Sequence, residues 1–302
     1  PNVIGYVART DRYGTTKLVG SANEILLYAL KRSTENPEIL PDRIYDEYIS
    51  TRYGKKALEP VKNAFKKAYD IVLSSMYILG TNAAKHSSMD YDPYSSSYDR
   101  HVSGRWLEPP VVFVEHGINK EFHYWKDIIN HIAPARFKTK DSRLGLEARY
   151  VIEQNWVTPV ELMDSLYLSY IITEKRYGVS LANEALADIE RAKDLLTPSD
   201  YDDLYRLFKR TALTAQLYEA VSTAYFGFRI YAKGKSYRYE NLEEQIRSAL
   251  NRIDLVTDEM KGMQGEYPLG QWDWLKDAET ALSYKNKILT GWKEYNNVKF
   301  TQ

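Results

Sequence analysis

Residues 81–131, TNAAKHSSMDYDPYSSSYDRHVSGRWLEPPVVFVEHGINKEFHYWKDIINH, constrain this chain more than any other stretch. All five histidines lie here, His86, His101, His116, His123 and His131, with Tyr91, Tyr94, Tyr98, Arg100, Arg105, Trp106 and Trp125. Most of 81–118 has neither a 3.6-residue nor a 2-residue apolar period and carries Gly, Pro, Ser and Asp at loop density. An irregular stretch this long inside a compact domain is usually functional or disordered. Disordered segments are poor in aromatic residues, which this one is not. The expectation is an ordered aromatic loop that carries a binding surface.

The flanking sequence reads as helices. A helical pattern begins near Leu18 and runs to about Lys31, and Pro41-Asp42 opens a second helix that Gly54 stops. Residues 55–79 read as one amphipathic helix with Leu58, Val61, Phe65, Ala68, Val72 and Met76 on its apolar stripe, Pro60 in its first turn and Gly80 as its end. Further helices are expected at 119–132, 141–154, 158–177, 180–196, 198–233, 238–262 and 271–293, with Thr158-Pro159 and Thr197-Pro198 as starts and Gly178, Gly234 and Gly265 as stops. Only two stretches read as strands, 2–9 and 111–116. The fold class expected is mainly α, an all-α helical domain at 36–302 preceded by a short βα unit at 1–35. Polar Arg9, Asp11, Arg12 and Tyr13 follow the first strand, where a (β/α) barrel presents its site residues.

Charge and composition narrow the function. The 41 basic and 41 acidic residues cancel, which argues against a general nucleic-acid binder. No apolar run approaches the roughly 18 residues of a membrane span, so no membrane partner is expected. With no cysteine, disulfide and thiol chemistry are excluded. The chain starts at Pro1 without Met and reads as a trimmed chain or fragment. The 26 tyrosines stand out. Tyr and Trp combine an apolar face with a polar tip, which suits carbohydrate, although an aromatic-rich helical core accounts for most of them.

The chemistry-bearing groups are sparse. His116, His123 and His131 lack HExxH spacing, and neither a metal nor a cofactor is expected. There is no GxSxG, P-loop or GxGxxG. Asp90, Asp92, Asp99, Glu108 and Glu115 could supply the carboxylate pair of a glycosidase, but aspartates in such a stretch are more often turn residues. Asn82, His86, Tyr91, Arg100, His101 and Arg105 match the residue types with which helical-toroid polysaccharide lyases work on uronates.

The order of these elements resembles the end of a family 67 α-glucuronidase. The resemblance rests on GYVARTDRYGTTKLVGSANEILLYALKRSTENPEIL, with Ala22-Asn23, Tyr28-Ala29 and Asn36-Pro37 in the family's order. Ile44-Tyr45-Asp46-Glu47-Tyr48-Ile49 and Arg52-Tyr53-Gly54 follow, then a long helix and the irregular aromatic loop. Glu35 stands where the family has a Trp before Asn-Pro, and Met89 to Tyr94 departs from its His-Tyr-Gly-Pro type loop. The resemblance implies that residues 1–35 complete a catalytic barrel whose carboxylates lie on strands outside this chain. The chain would then be the C-terminal portion of a glycoside hydrolase acting on plant or algal polysaccharide, catalytically incomplete alone. Its partners would be an acidic oligosaccharide and an upstream catalytic domain or partner chain, with a homodimer left open and a periplasmic or extracellular setting favoured over the cytoplasm. Residues expected to line the sugar site are Arg9, Asp11, Arg12, Tyr13, His86, Tyr91, Tyr94, His101, Arg105, Trp106 and His116. Two other readings stay open: a complete α-toroid lyase or hydrolase using 81–131, and a non-catalytic helical protein that binds glycans or partners.

Overall fold

The computed structural model describes residues 21–78, 81–82, 84–85, 88–89, 165–232, 241–263 and 271–299. These residues are mainly helical. The expected strands at 2–9 and 111–116, and the helices at 119–132 and 141–154, lie outside them.

Helix α1 spans Glu24–Glu35 and stops before Asn36-Pro37, where proline disfavours a helical conformation in its predecessor. Helix α2, Pro41–Arg52, starts with proline in its first turn, where the missing N–H costs nothing. It ends before Gly54, whose φ of 91° suits glycine. A 3-10 turn at Lys55–Ala57 leads into α3, Leu58–Met76. Two short ladders follow, pairing Tyr77 with Asn82 and Ile78 with Thr81, then Ala84 with Met89 and Lys85 with Ser88. After residue 164 come α4 (Ser165–Arg191), α5 (Pro198–Ala232), α6 (Leu242–Gly262) and α7 (Gln271–Lys299). Thr197 caps α5: its Oγ1 accepts the Asp200 N–H at 3.2 Å.

The long helices α4 and α5 form the spine, joined by a tight 3-10 turn at Lys193–Leu195. At a 1.5 Å rise per residue, α5 is about 50 Å long, enough to serve two cores. The first core brings Ile49, Val61, Ala64, Phe65 and Ile71 of α2 and α3 against Ala182, Ala185 and Ile189 of α4 and Leu204 and Phe208 of α5. The second brings Leu168, Ile171 and Ile172 of α4 and Leu217, Val221 and Phe226 of α5 against α6 and α7. A run of rings crosses the first core: Tyr28, Tyr48, Tyr53, Phe65 and Phe208 follow one another at centroid separations of 5.5, 6.3, 6.2 and 6.0 Å. Burial pushes the Tyr48 hydroxyl up to about 12. These rings therefore serve packing, the bland role expected for most of the tyrosines.

Two expectations are corrected. Gly178 does not stop a helix; α4 runs through it. A Cβ there would lie 3.0 Å from Ser74 Cβ and 3.0 Å from Ser75 Oγ, so the glycine is a point of close helix approach. Its cost in a helix interior, about 0.5–1 kcal/mol relative to alanine, is offset by the contact it permits. The expected apolar stripe of α3 holds at Val61 and Phe65, which are buried, but Ala68 and Val72 are exposed, and Ala64, Ile71, Leu73, Ser74 and Ser75 are buried instead.

Candidate functional site

The expected sugar-site residues Arg9, Asp11, Arg12, Tyr13, His86, Tyr91, Tyr94, His101, Arg105, Trp106 and His116 all lie outside the described residues. The structure instead describes helices on either side of residues 90–164 and a buried polar layer between α3 and α4.

The layer is built from α3 and α4. The last carbonyls of a helix have no partner within it. Lys175 supplies one from α4: its Nζ donates to the Ser74 carbonyl at 2.8 Å and to the Ser75 carbonyl at 3.0 Å. A cation also suits the negative end of the α3 dipole. Lys175 is 1% exposed, and Glu174 beside it is fully buried, with its Oε2 3.4 Å from the Lys175 Nζ. Burial lowers the Lys175 pKa, and the Glu174 charge opposes that shift. Ser74 and Ser75 are buried as well. This layer lies along α4 between Ile172, which belongs to one core, and Ala182, which belongs to the other.

A second charged group lies one residue on. Arg176 Nε is 3.7 Å from Glu219 Oε1, and Arg252 Nη2 of α6 is 2.7 Å from Glu219 Oε2, so the buried Glu219 ties α4, α5 and α6 together. None of these groups lies where a polymeric substrate could reach Lys175, so its chemistry is that of a hydrogen-bonding post rather than a nucleophile.

The strand Ser88–Met89 packs against α7. Leu168 of α4 belongs to the same core as Ala278, Ala281, Tyr284 and Ile288 of α7. An open groove of about 670 Å³ runs along α7, lined by Glu279, Ser283, Asn286, Lys287 and Thr290 among others. Among the described residues, no three His, Asp or Glu side chains are placed to hold a metal ion, and no helix is long and apolar enough to cross a membrane.

Lys175 was missed in the sequence because Glu-Lys-Arg reads as a solvated charge run. A signal was present: Ile171, Lys175, Gly178, Ala182, Ala185 and Ile189 recur at helical spacing, which puts the lysine in an apolar stripe. Comparison of the chain with protein-family models, curated proteins and solved structures returned no match.

Proposed function

We propose that this chain is the helical C-terminal portion of a glycoside hydrolase of the α-glucuronidase type, with its 81–131 stretch helping to shape a site for acidic oligosaccharides. The observation that supports this most is that described segments on either side of residues 90–164 pack on one helix: Ser88–Met89 contacts α7, and Leu168 of α4 shares a core with α7. The sequence between them carries Tyr91, Tyr94, His101, Arg105, Trp106 and His116. Rings can stack on the C–H faces of a sugar, and a guanidinium can pair bidentately with a uronate carboxylate. A rigid frame beside such a stretch limits the ordering cost of binding. Residues 1–20, with Arg9, Asp11, Arg12 and Tyr13, then take the role of a barrel strand end beside that site.

The direct experiment is calorimetric titration of the protein with uronic-acid-bearing oligosaccharides, with neutral oligosaccharides of the same backbone as controls. The proposal expects measurable binding of the acidic series and weaker binding of the neutral one. No binding of either series would overturn it. Equal binding of both would remove the acidic-substrate part.

A further inference from the structure

We propose that Lys175 is a positioning residue: by holding the Ser74 and Ser75 carbonyls, its Nζ ends α3 at Met76 and sets the ladder Tyr77–Asn82 that follows it. Three observations converge on it. The 2.8 and 3.0 Å bonds reach the carbonyls that the next helical turn would otherwise use, those that would accept from residues 78 and 79. The helix stops one residue after them, and Tyr77 and Ile78 pair across to Asn82 and Thr81 instead. The helix ends three residues before 79, where its periodicity and Gly80 place the end, and the earlier stop coincides with the contact from Lys175. Gly178, one turn further along α4, brings the two backbones close enough for the contact.

A two-residue ladder is marginal by itself. Its geometry must come from what precedes it, and Lys175 is the polar group on α4 that bonds the carbonyls just before it. A lysine buried only to fill space would not need both carbonyls, and a methionine of similar length would serve as well. The functional weight of the post rests on the sugar-site reading above, since the ladder precedes residues 90–164 in the chain; the structural claim does not.

The test compares the parent with Lys175→Met and Lys175→Arg. Amide hydrogen exchange is read at residues 76–82, with the α6 amides as internal reference. The proposal expects exchange at 76–82 to rise tenfold or more in Lys175→Met relative to α6, with Lys175→Arg closer to the parent. Unchanged protection at 76–82 in a folded Lys175→Met, or a rise shared equally by α6, would overturn it. Should Lys175→Met fail to fold, the parent decides: nuclear magnetic resonance should detect scalar coupling across the hydrogen bonds from Lys175 Nζ to the Ser74 and Ser75 carbonyl carbons, and absence of both couplings would overturn the proposal. The functional consequence is read separately, as a loss of about tenfold or more in affinity for the acidic oligosaccharide on Lys175→Met. If the parent itself binds no oligosaccharide, the sugar-site reading fails while the exchange data still decide the role of Lys175. If the parent binds and a Lys175→Met with raised exchange binds equally well, the post shapes the ladder and the link to the site is overturned.

Discussion

The position of a Cβ on Gly178 lies 3.0 Å from the Cβ of Ser74, across a close approach of α3 and α4. Replacing a helical glycine by alanine normally stabilises by about 0.5–1 kcal/mol. Here the neighbours cannot give way easily. Ser74 is fully buried, and its carbonyl is held by Lys175. Gly178→Ala should therefore destabilise the protein, by about 1 kcal/mol net once overpacking of about 1–3 kcal/mol is set against the helix gain. Urea unfolding of parent and variant measures this; a stabilised variant would mean that the approach is looser than described.

Asp188 carries another deeply placed ion pair. It is 2% exposed, accepts from Lys67 Nζ of α3 at 2.6 Å and also binds Arg191. Removing one member of a buried pair strands the other charge, at about 3–5 kcal/mol for fully buried cases. Lys67 keeps 23% of its side chain exposed and can turn to water, so Asp188→Ala should cost about 2 kcal/mol, below that range. Lys67→Met should be milder because Arg191 stays with the carboxylate. A double-mutant cycle on Lys67 and Asp188 by thermal unfolding gives the coupling, and a value near zero would show the pair to be idle.

Glu47 joins α1 to α2. Arg32 Nε donates to its Oε2 at 2.9 Å, and Arg43 Nε donates to its Oε1 at 3.0 Å. The Arg32 hydrogen bond, followed by that from Arg43, holds its carboxyl below the usual glutamate range. A group whose folded pKa is depressed adds stability above its unfolded pKa, about 4.3 for glutamate, and loses it as pH falls through the folded value. The parent should therefore be more stable than Glu47→Gln near pH 6, with the gap closing on acidification below about pH 4. Melting temperatures of both proteins from pH 7 to pH 3 test this. A gap that widens in acid would contradict the assignment.

Much of the frame was legible in the sequence, for reasons that are local. Proline at the start of α2 and α5, Thr197 as a cap and Gly54 with its positive φ act within a turn of the helix ends they mark. What the sequence hid depends on distant partners. Gly178 looked like a stop because the serines that require it are about a hundred positions away, as are the carbonyls that Lys175 holds at separations of 101 and 100 residues. Periodicity placed Ala68 and Val72 on the buried face of α3 together with Val61 and Phe65, but both are exposed, and Ser74 and Ser75 are buried against α4 instead. The candidate sugar residues, Arg9 to Tyr13 and His86 to His116, were read from residue types and from a resemblance. The described residues include none of these; they place only Ser88–Met89 beside α7 and Leu168 in its core.

The central claim is that the aromatic stretch at 81–131 contacts an acidic sugar. It is tested most directly by titrating an acidic oligosaccharide into the parent, Arg105→Ala and Trp106→Ala, after circular dichroism shows that each retains its helices. Losing a hydrogen bond to a charged group costs about 1.5–3 kcal/mol, so Arg105→Ala should weaken binding by about 10–100-fold. Trp106→Ala should weaken acidic and neutral sugars alike. Parent binding that survives unchanged in both folded variants would contradict the account.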